Sequence, residues 1–245
     1  MNIALIGYGK MGKELEALAR EREINVAKIF TPENNRGGSG LTKESLKNID
    51  MCIEFTTPVA VLENIEAIAR AGKNVVIGTT GWYDKLPDVV KLVKEKKIGL
   101  LYAANFSPGM NVFYHIVTSA AKMFDKFDSY DVAIAETHHK EKTDSPSGTA
   151  LALANLIIQN TRRKKEIFHE AAHAKIKAAQ LHVTSTRVGN VAGKHDVMFD
   201  SEADSIELIH TAKSRRGFAL GALIAAEWLK GKTGFFTMKD VLTAL

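Results

Sequence analysis

This sequence predicts an α/β protein of two domains: an N-terminal domain built on a parallel sheet, then an α+β domain with a mixed or antiparallel sheet. Three observations carry that expectation. Residues 2–6 form a short apolar strand that runs straight into Gly7-Tyr8-Gly9-Lys10-Met11-Gly12, and Leu15, Leu18 and Ala19 follow at helical spacing. Strand and helix patterns then alternate as far as residue 102, the rhythm of parallel strands joined by crossover helices. After Ser107 the rhythm changes. Residues 181–187, 195–200 and 205–211 each alternate apolar with polar side chains, with no helix between them.

The first element fixes the character of the domain. Strand, Gly-x-Gly-x-x-Gly and helix, in that order, form the Rossmann-like dinucleotide-binding fingerprint. Gly7 makes the turn, Gly9 lets the backbone approach a pyrophosphate, and Gly12 lets helix and strand pack closely, with the helix N-terminus facing the anion. The bland reading is a tight turn with no ligand; the strand before and the helix after weigh against it. A second strand, 25–30, ends at Thr31-Pro32, where an NAD-binding domain usually places an acid to hold the adenosine ribose. Glu33 is displaced beyond the proline. The missing acid leaves room for a 2′-phosphate, with Lys10 and Arg36 as cationic partners, so NADPH is favoured over NADH. Strand 50–55, helix 59–71, strand 74–77, helix 83–96 and strand 98–102 continue the alternation. Ligands of such sheets bind at the carboxyl ends of the strands. Those ends carry Phe55-Thr56-Thr57-Pro58, Gly78-Thr79-Thr80-Gly81 and Ala104-Asn105-Phe106-Ser107. Each is an ordinary turn taken alone; three at corresponding positions read as a cofactor rim.

The second domain opens with helix 110–124 and an alternating strand, 130–135. The stretch from 135 to 150 then gathers His138, His139, Lys140, Glu141, Lys142 and Asp144 before helix 150–158. After Arg215-Arg216 an apolar helix covers 218–229, and 235–245 reads as a short segment docking back on the first domain. The expected division is therefore 1–107 with 216–245 as the dinucleotide-binding domain, and 108–215 as the substrate-binding and oligomerisation domain. With no long linker between them, the two are expected to share a cleft.

Composition narrows the class. The chain has 245 residues, 45% hydrophobic and 25% charged, ordinary for a soluble globular protein. No apolar run approaches the roughly 20 residues that span a bilayer, and the N-terminus lacks the basic flank of a signal peptide. No membrane partner is expected. The single cysteine, Cys52, excludes an intrachain disulfide, fits a reducing compartment and falls in an apolar strand as inert core. The net charge of +5 is scattered among acids, which argues against nucleic acid and suits a small anionic substrate. The one basic run, Arg162-Arg163-Lys164-Lys165, reads as a solvated helix end.

The stretch from 135 to 150 carries the chemistry. Ser145 reads as a helix N-cap with Pro146 at the first helical position. The N–H groups of Gly148 and Thr149, with two hydroxyls, would then form a carboxylate site; simple capping is the alternative. His138 and His139 are adjacent, so on a strand they point to opposite faces and do not share a metal. No metal is expected. Acid–base work fits better, because histidine titrates near neutrality and Lys142 can supply a proton.

The run Glu136-Thr137-His138-His139-Lys140-Glu141-Lys142-Thr143-Asp144-Ser145-Pro146-Ser147-Gly148-Thr149-Ala150 resembles the signature of the 4-hydroxy-tetrahydrodipicolinate reductases, long called dihydrodipicolinate reductases. The family pattern is Glu-x-His-His-x-x-Lys-x-Asp-Ala-Pro-Ser-Gly-Thr-Ala, and Ser145 stands where alanine is usual. The resemblance spans the whole chain. It takes in Gly78-Thr79-Thr80-Gly81-Trp82, Asn105-Phe106-Ser107, Ser185-Thr186-Arg187-Val188-Gly189, Gly193-Lys194-His195 and Ser214-Arg215-Arg216-Gly217-Phe218-Ala219. It implies hydride transfer from NADPH or NADH to a small cyclic dicarboxylate, giving tetrahydrodipicolinate in diaminopimelate and lysine biosynthesis. It implies His138 as acid/base and Lys142 as proton donor, with His139, Ser147, Gly148, Thr149, Thr80 and Arg215 binding substrate. Gly7, Tyr8, Gly9, Lys10, Met11, Gly12, Thr31, Phe55, Gly78, Thr79, Thr80, Ala104, Asn105 and Phe106 fall on the cofactor side. It further implies a cytoplasmic homotetramer. The family's glycine loop often has one residue more, and an arginine where Lys10 stands; both departures bear on cofactor preference. Arg187 is either a further cation for the dianion or half of a structural ion pair. The rivals are another two-domain dehydrogenase, of an amino acid or semialdehyde, and a non-catalytic NAD(P)-binding regulator. The long motif weighs against the first and the intact His138 and Lys142 against the second.

Overall fold

The computed structural model describes residues 1–244; Leu245, the last residue of the expected docking segment, lies outside the described residues. The chain begins β1 (Asn2–Ile6), α1 (Lys10–Glu21), β2 (Asn25–Phe30), β3 (Met51–Glu54), α2 (Val61–Arg70), β4 (Val75–Ile77), α3 (Leu86–Lys96) and β5 (Gly99–Tyr102). It continues α4 (Pro108–Phe124), β6 (Asp131–His138), α5 (Gly148–Asn160), β7 (Glu166–Phe168), β8 (Gln180–Arg187), β9 (Gly193–Asp200) and β10 (Ser205–Ala212). It closes α6 (Arg216–Leu229), β11 (Gly234–Thr237) and α7 (Met238–Thr243). These elements pack into two compact units, Met1–Pro108 with the chain from Arg215 onward, and Gly109–Ser214.

In the first unit six parallel strands run in the order β11-β5-β4-β3-β1-β2. Strands β3 and β4 are buried throughout, as strands covered on both faces must be. Ile3, Leu5, Met51 and Ile53 face α1 and α6, whereas Ala4, Ile6, Cys52, Val75 and Ile77 face α2 and α3. Burial pushes the Cys52 thiol up to about 12, so it is inert packing. The tail expected only to dock does more: β11 pairs along β5 as a sixth strand, and a capping box on Thr237 and Asp240 starts α7. The chain leaves β1 toward β2 on one side and β3 lies on the other, which places the topological switch point between β1 and β3.

In the second unit five strands run β10-β9-β6-β8-β7, with β6 parallel to β8 and antiparallel to β9. One face packs Val132, Ile134, Leu181, Val183, Val197 and Phe199 against α4 and α5. The outer face leaves Met198 and Ile209 exposed. The three-residue strand β7 has no counterpart in the expected elements. The basic run after α5 is a solvated helix end only in part, with Arg162 and Lys165 exposed. Lys164 is buried, bonded to Asp131 Oδ1 at 2.6 Å and the Gln180 carbonyl at 2.7 Å. Arg163 donates to the carbonyls of Phe127, Asp128 and Tyr130, and Arg162 clasps Asp125. These cations staple the α4–β6 turn, because carbonyls that no helix or strand satisfies need donors.

Candidate active site

In the first unit the carboxyl ends of β1, β2 and β3 open into a cavity of about 690 Å³. Gly7, Tyr8, Gly9, Thr31 and Phe55 line it, joined by Arg36, Asn64 and also Glu33, so the acid expected to be displaced from the site reaches its wall. Each glycine of the fingerprint has a measurable reason. Gly7 has φ +93°, and a Cβ there would lie 2.1 Å from the Phe55 carbonyl oxygen. At Gly12 a Cβ would come within 2.4 Å of the Gly7 carbonyl oxygen, the close strand–helix approach. Gly9 has nothing within 4 Å in its Cβ direction and caps α1 without a side chain. The first turn of α1 carries no acid, so its N–H groups and dipole end suit a pyrophosphate. The cavity and this uncapped helix end fit a dinucleotide.

The other expected cofactor residues are placed differently. Lys10, Met11 and Gly12 belong to α1, Lys10 exposed and Gly12 buried. Gly78 sits against the Phe55 ring, where a Cβ would approach to 2.0 Å. Thr79 is buried, its hydroxyl accepting from the Thr56 N–H at 2.7 Å, and Thr80 is exposed. Ala104 is exposed and Asn105 braces the Ser107 N–H, but the Phe106 ring is spent in the core beside α6. Beneath the cavity lies a group missed in the sequence. Glu54, fully buried at the end of β3, accepts from Thr56 Oγ1 and from Asn64 Nδ2 at 3.2 Å. Burial raises its pKa against the pull of those bonds. Asn64 Oδ1 in turn takes the Asn35 amide at 2.9 Å, and Asn35 Oδ1 takes the Gly40 N–H, so this chain of bonds sets the loop bearing Arg36.

In the second unit the buried stripes of three adjacent strands turn polar at one end. The alternation of β6 does not stop where its apolar residues stop: Val132, Ile134, Glu136 and His138 all face inward. Glu136 therefore lies on a strand, not in the expected loop, two residues from His138 and on the same face. Across the register Glu136 meets Ser185 of β8 and His195 of β9, and His138 meets Arg187. The Glu136 carboxylate contacts His138 Nδ1 through one oxygen. Its other oxygen accepts from Arg187 Nη2 at 2.8 Å and from the Ser147 N–H at 3.1 Å. Burial alone would raise Glu136, but Arg187, Ser185, Ser147 and His138 outweigh it and hold the carboxyl below its usual range. Burial lowers His138 further than Glu136 restores it, so the imidazole is neutral at neutral pH. Arg187 is thus half of an ion pair, and it also donates to the Asp144 carbonyl at 2.7 Å.

The start of α5 corrects the expected cap. Ser147, not Ser145, is the N-cap: its Oγ accepts from the Ala150 N–H at 3.2 Å, and the helix begins at Gly148. Pro146 precedes the cap, through a cis peptide after Ser145, and occupies no helical position. Ser147 is 2% exposed and its hydroxyl also meets His195 Nε2 at 3.3 Å, so it turns inward and not toward an open carboxylate site. The Thr149 hydroxyl bonds to the phenol of Tyr114. Gly148 is exposed at the helix end, and His139 and Lys142 are half-buried just before it. Lys142 Nζ grips both Asp144 oxygens, at 2.7 and 2.9 Å. Burial would raise Asp144, yet Lys142 and the Gly148 N–H hold it low. Arg215 lies in the first unit, exposed, as the residue capping α6.

Ligand atoms of Glu136, His138 and His195 fall within 4.8 Å of one another, a grouping of the kind that can hold a metal. Both carboxylate oxygens are already engaged, one of them by a guanidinium, and a cation there would have to displace Arg187. Burial, and then His138, push His195 down to about 4. Its unfolded reference is 6.5. With the folded value depressed, the unfolded state binds the proton first as pH falls, so stability is complete above about 6.5 and declines down to about 4. Unfolding midpoints measured over that window should fall in the wild type and flatten in His195→Gln; parallel slopes would refute the assignment.

A glycine-cradled crevice at the switch point of a parallel sheet, together with a second unit bearing a buried acid–base pair, defines an oxidoreductase of the nicotinamide-dinucleotide class. Comparison with known proteins gives the particular family. Residues 1–106 match the family model described as dihydrodipicolinate reductase, N-terminus, and residues 109–242 its C-terminus. The 4-hydroxy-tetrahydrodipicolinate reductase of Christiangramia forsetii is 42% identical over 100% of this chain and 99% of its own length. That of Neisseria meningitidis is 34% identical over 80% of this chain and 74% of its own. A dipicolinate-bound dihydrodipicolinate reductase from Paenisporosarcina sp. superposes with a TM-score of 0.78, covering 98% of both chains at 22% identity, a likeness of fold. The chain belongs to the dihydrodipicolinate reductase family.

Proposed function

We propose that the chain reduces 4-hydroxy-tetrahydrodipicolinate to tetrahydrodipicolinate at the expense of NAD(P)H, a step of diaminopimelate and lysine biosynthesis. The full-length identity of 42% to a relative of that activity carries the reading. The nicotinamide cofactor supplies the hydride when bound. The chain's own residues align the reactants and handle protons and charge. Gly7, Gly9 and the N-terminus of α1 take the pyrophosphate. His139, Gly148, Thr149, Thr80 and Arg215 bind the carboxylates of the substrate. Support for that role comes from the start of α5 and the loop before it, where the Gly148 N–H and Lys142 already stabilise one carboxylate, that of Asp144. Lys142 Nζ donates the proton, and His138 exchanges protons beside it.

NADPH is the better cofactor in this reading. Glu33 also lines the cavity, but beyond Pro32 and not at the end of β2, and the Arg36 loop beside it is held in place by Asn35 and Asn64. The exposed Met198 and Ile209 on the outer sheet face support assembly, which we assign as a homotetramer, and the cytoplasm is the compartment proposed. Initial rates with enzymatically generated substrate test the reading. Substrate-dependent oxidation is expected with both cofactors, with the higher kcat/KM for NADPH. No oxidation with either cofactor rejects the function; equal or better rates with NADH reject only the preference.

A further inference from the structure

We infer that Glu136 is the positioning residue of the site, its carboxylate fixing the His138 ring as the Nδ1–H tautomer while Arg187 and the Ser147 N–H hold that carboxylate still. The inference rests on the reading in which His138 exchanges protons with substrate. Strand geometry supplies the first step. Residues two apart on β6 share a face, so the Glu136 and His138 side chains emerge side by side on the buried face. The Glu136 side chain is fully buried and cannot turn to water. One oxygen is fixed by two donors from different elements, Arg187 Nη2 on β8 at 2.8 Å and the Ser147 N–H before α5 at 3.1 Å. The remaining oxygen meets His138 Nδ1. An ionised carboxylate only accepts, so the imidazole must place its hydrogen on Nδ1. The lone pair is then left at Nε2.

The surroundings of Nε2 agree with that division. It faces Gly193 on β9, where a Cβ would come within 3.0 Å of it. Glycine at that position keeps a side chain from crowding the nitrogen. The charged and titratable groups around the ring are Glu136 from its own strand, Arg187 from β8, His195 from β9 and Lys142 from the following loop. His195 meets the ring edge-on at 5.2 Å between centroids and is uncharged near neutrality, so Arg187 is the cation that balances Glu136. One ring nitrogen is thus anchored and the other is available for a proton, an arrangement in which a buried acid orients a catalytic histidine.

Glu136→Gln separates this role from simple packing. Arg187 and the Ser147 N–H are donors and will claim the amide oxygen, which leaves the amide NH₂ against His138 Nδ1. The ring must then accept at Nδ1 and carry its hydrogen on Nε2. Imidazole ¹⁵N spectra of uniformly labelled protein, with His138→Asn for assignment, should show the Nδ1–H tautomer in the wild type and Nε2–H in Glu136→Gln. The variant should lose about 100-fold or more in kcat, with substrate KM within about threefold, and Glu136→Asp should restore the tautomer and part of the rate. An Nε2–H wild type overturns the inference even if Glu136→Gln does not fold. So does a folded Glu136→Gln with the wild-type tautomer or with kcat within about threefold of wild type. A wild type that does not reduce the substrate defeats the functional reading, and the wild-type tautomer still decides this one.

Discussion

Replacing Lys142 with alanine is expected to lower kcat about 1,000-fold, a loss in the middle of the range for removing a positioned proton donor. Affinity for NADH and NADPH should stay within about twofold, since the donors expected to hold the cofactor lie in the other unit. The structure gives the lysine an orientation as well as a charge. Asp144 grips its ammonium with both oxygens, and the Lys142 backbone N–H is itself fixed to the His139 carbonyl at 3.1 Å. Lys142→Arg would keep the charge and the grip on Asp144, but a guanidinium does not release its proton near neutrality. It should therefore bind substrate and still fail to recover kcat. Stopped-flow oxidation of NADPH under single-turnover conditions reads the chemical step directly. A loss below about tenfold in Lys142→Ala would remove the lysine from the proton-donor role.

The sequence was most legible where local rules suffice. The glycine turn, the alternating βα segments and the buried Cys52 depend on neighbours close in the chain, and β1, α1 and β2 appear where periodicity put them. Strand β6 shows where the signal ran out. Counting apolar residues ended it at Ala135, whereas its inward face continues through Glu136 and His138. A period of two persists whatever the side chain; reading the period rather than the polarity would have paired those two residues. Arg187 and His195 could not be found that way, because they reach Glu136 only through the register of β8 and β9. Lys164 was misread for a related reason. A basic run after a helix is usually solvated, and only the fold shows that Lys164 meets the Gln180 carbonyl and the Asp131 carboxylate on other elements. The Ser147 cap lies just beyond the expected Ser145, within the usual uncertainty of helix ends.

A pair of glycine variants should separate the architectural and ligand-facing halves of the fingerprint. Gly7→Ala places a methyl 2.1 Å from the Phe55 carbonyl oxygen, a backbone atom that cannot step aside, on a residue with φ +93°. Strands β1 and β3 would have to part at the switch point. The expected cost is about 3–5 kcal/mol, or a fall of about 10 °C in Tm. Gly9→Ala meets nothing within 4 Å, and its φ of −79° is open to any residue. Its Tm should match the wild type. The added methyl instead occupies the approach to the uncapped end of α1, so NADPH affinity should drop about tenfold or more if a pyrophosphate must reach those N–H groups. Calorimetric titration with NADPH and thermal melts of the free protein measure the two effects independently of turnover. Should Gly9→Ala bind NADPH as tightly as the wild type, the pyrophosphate does not sit on this turn.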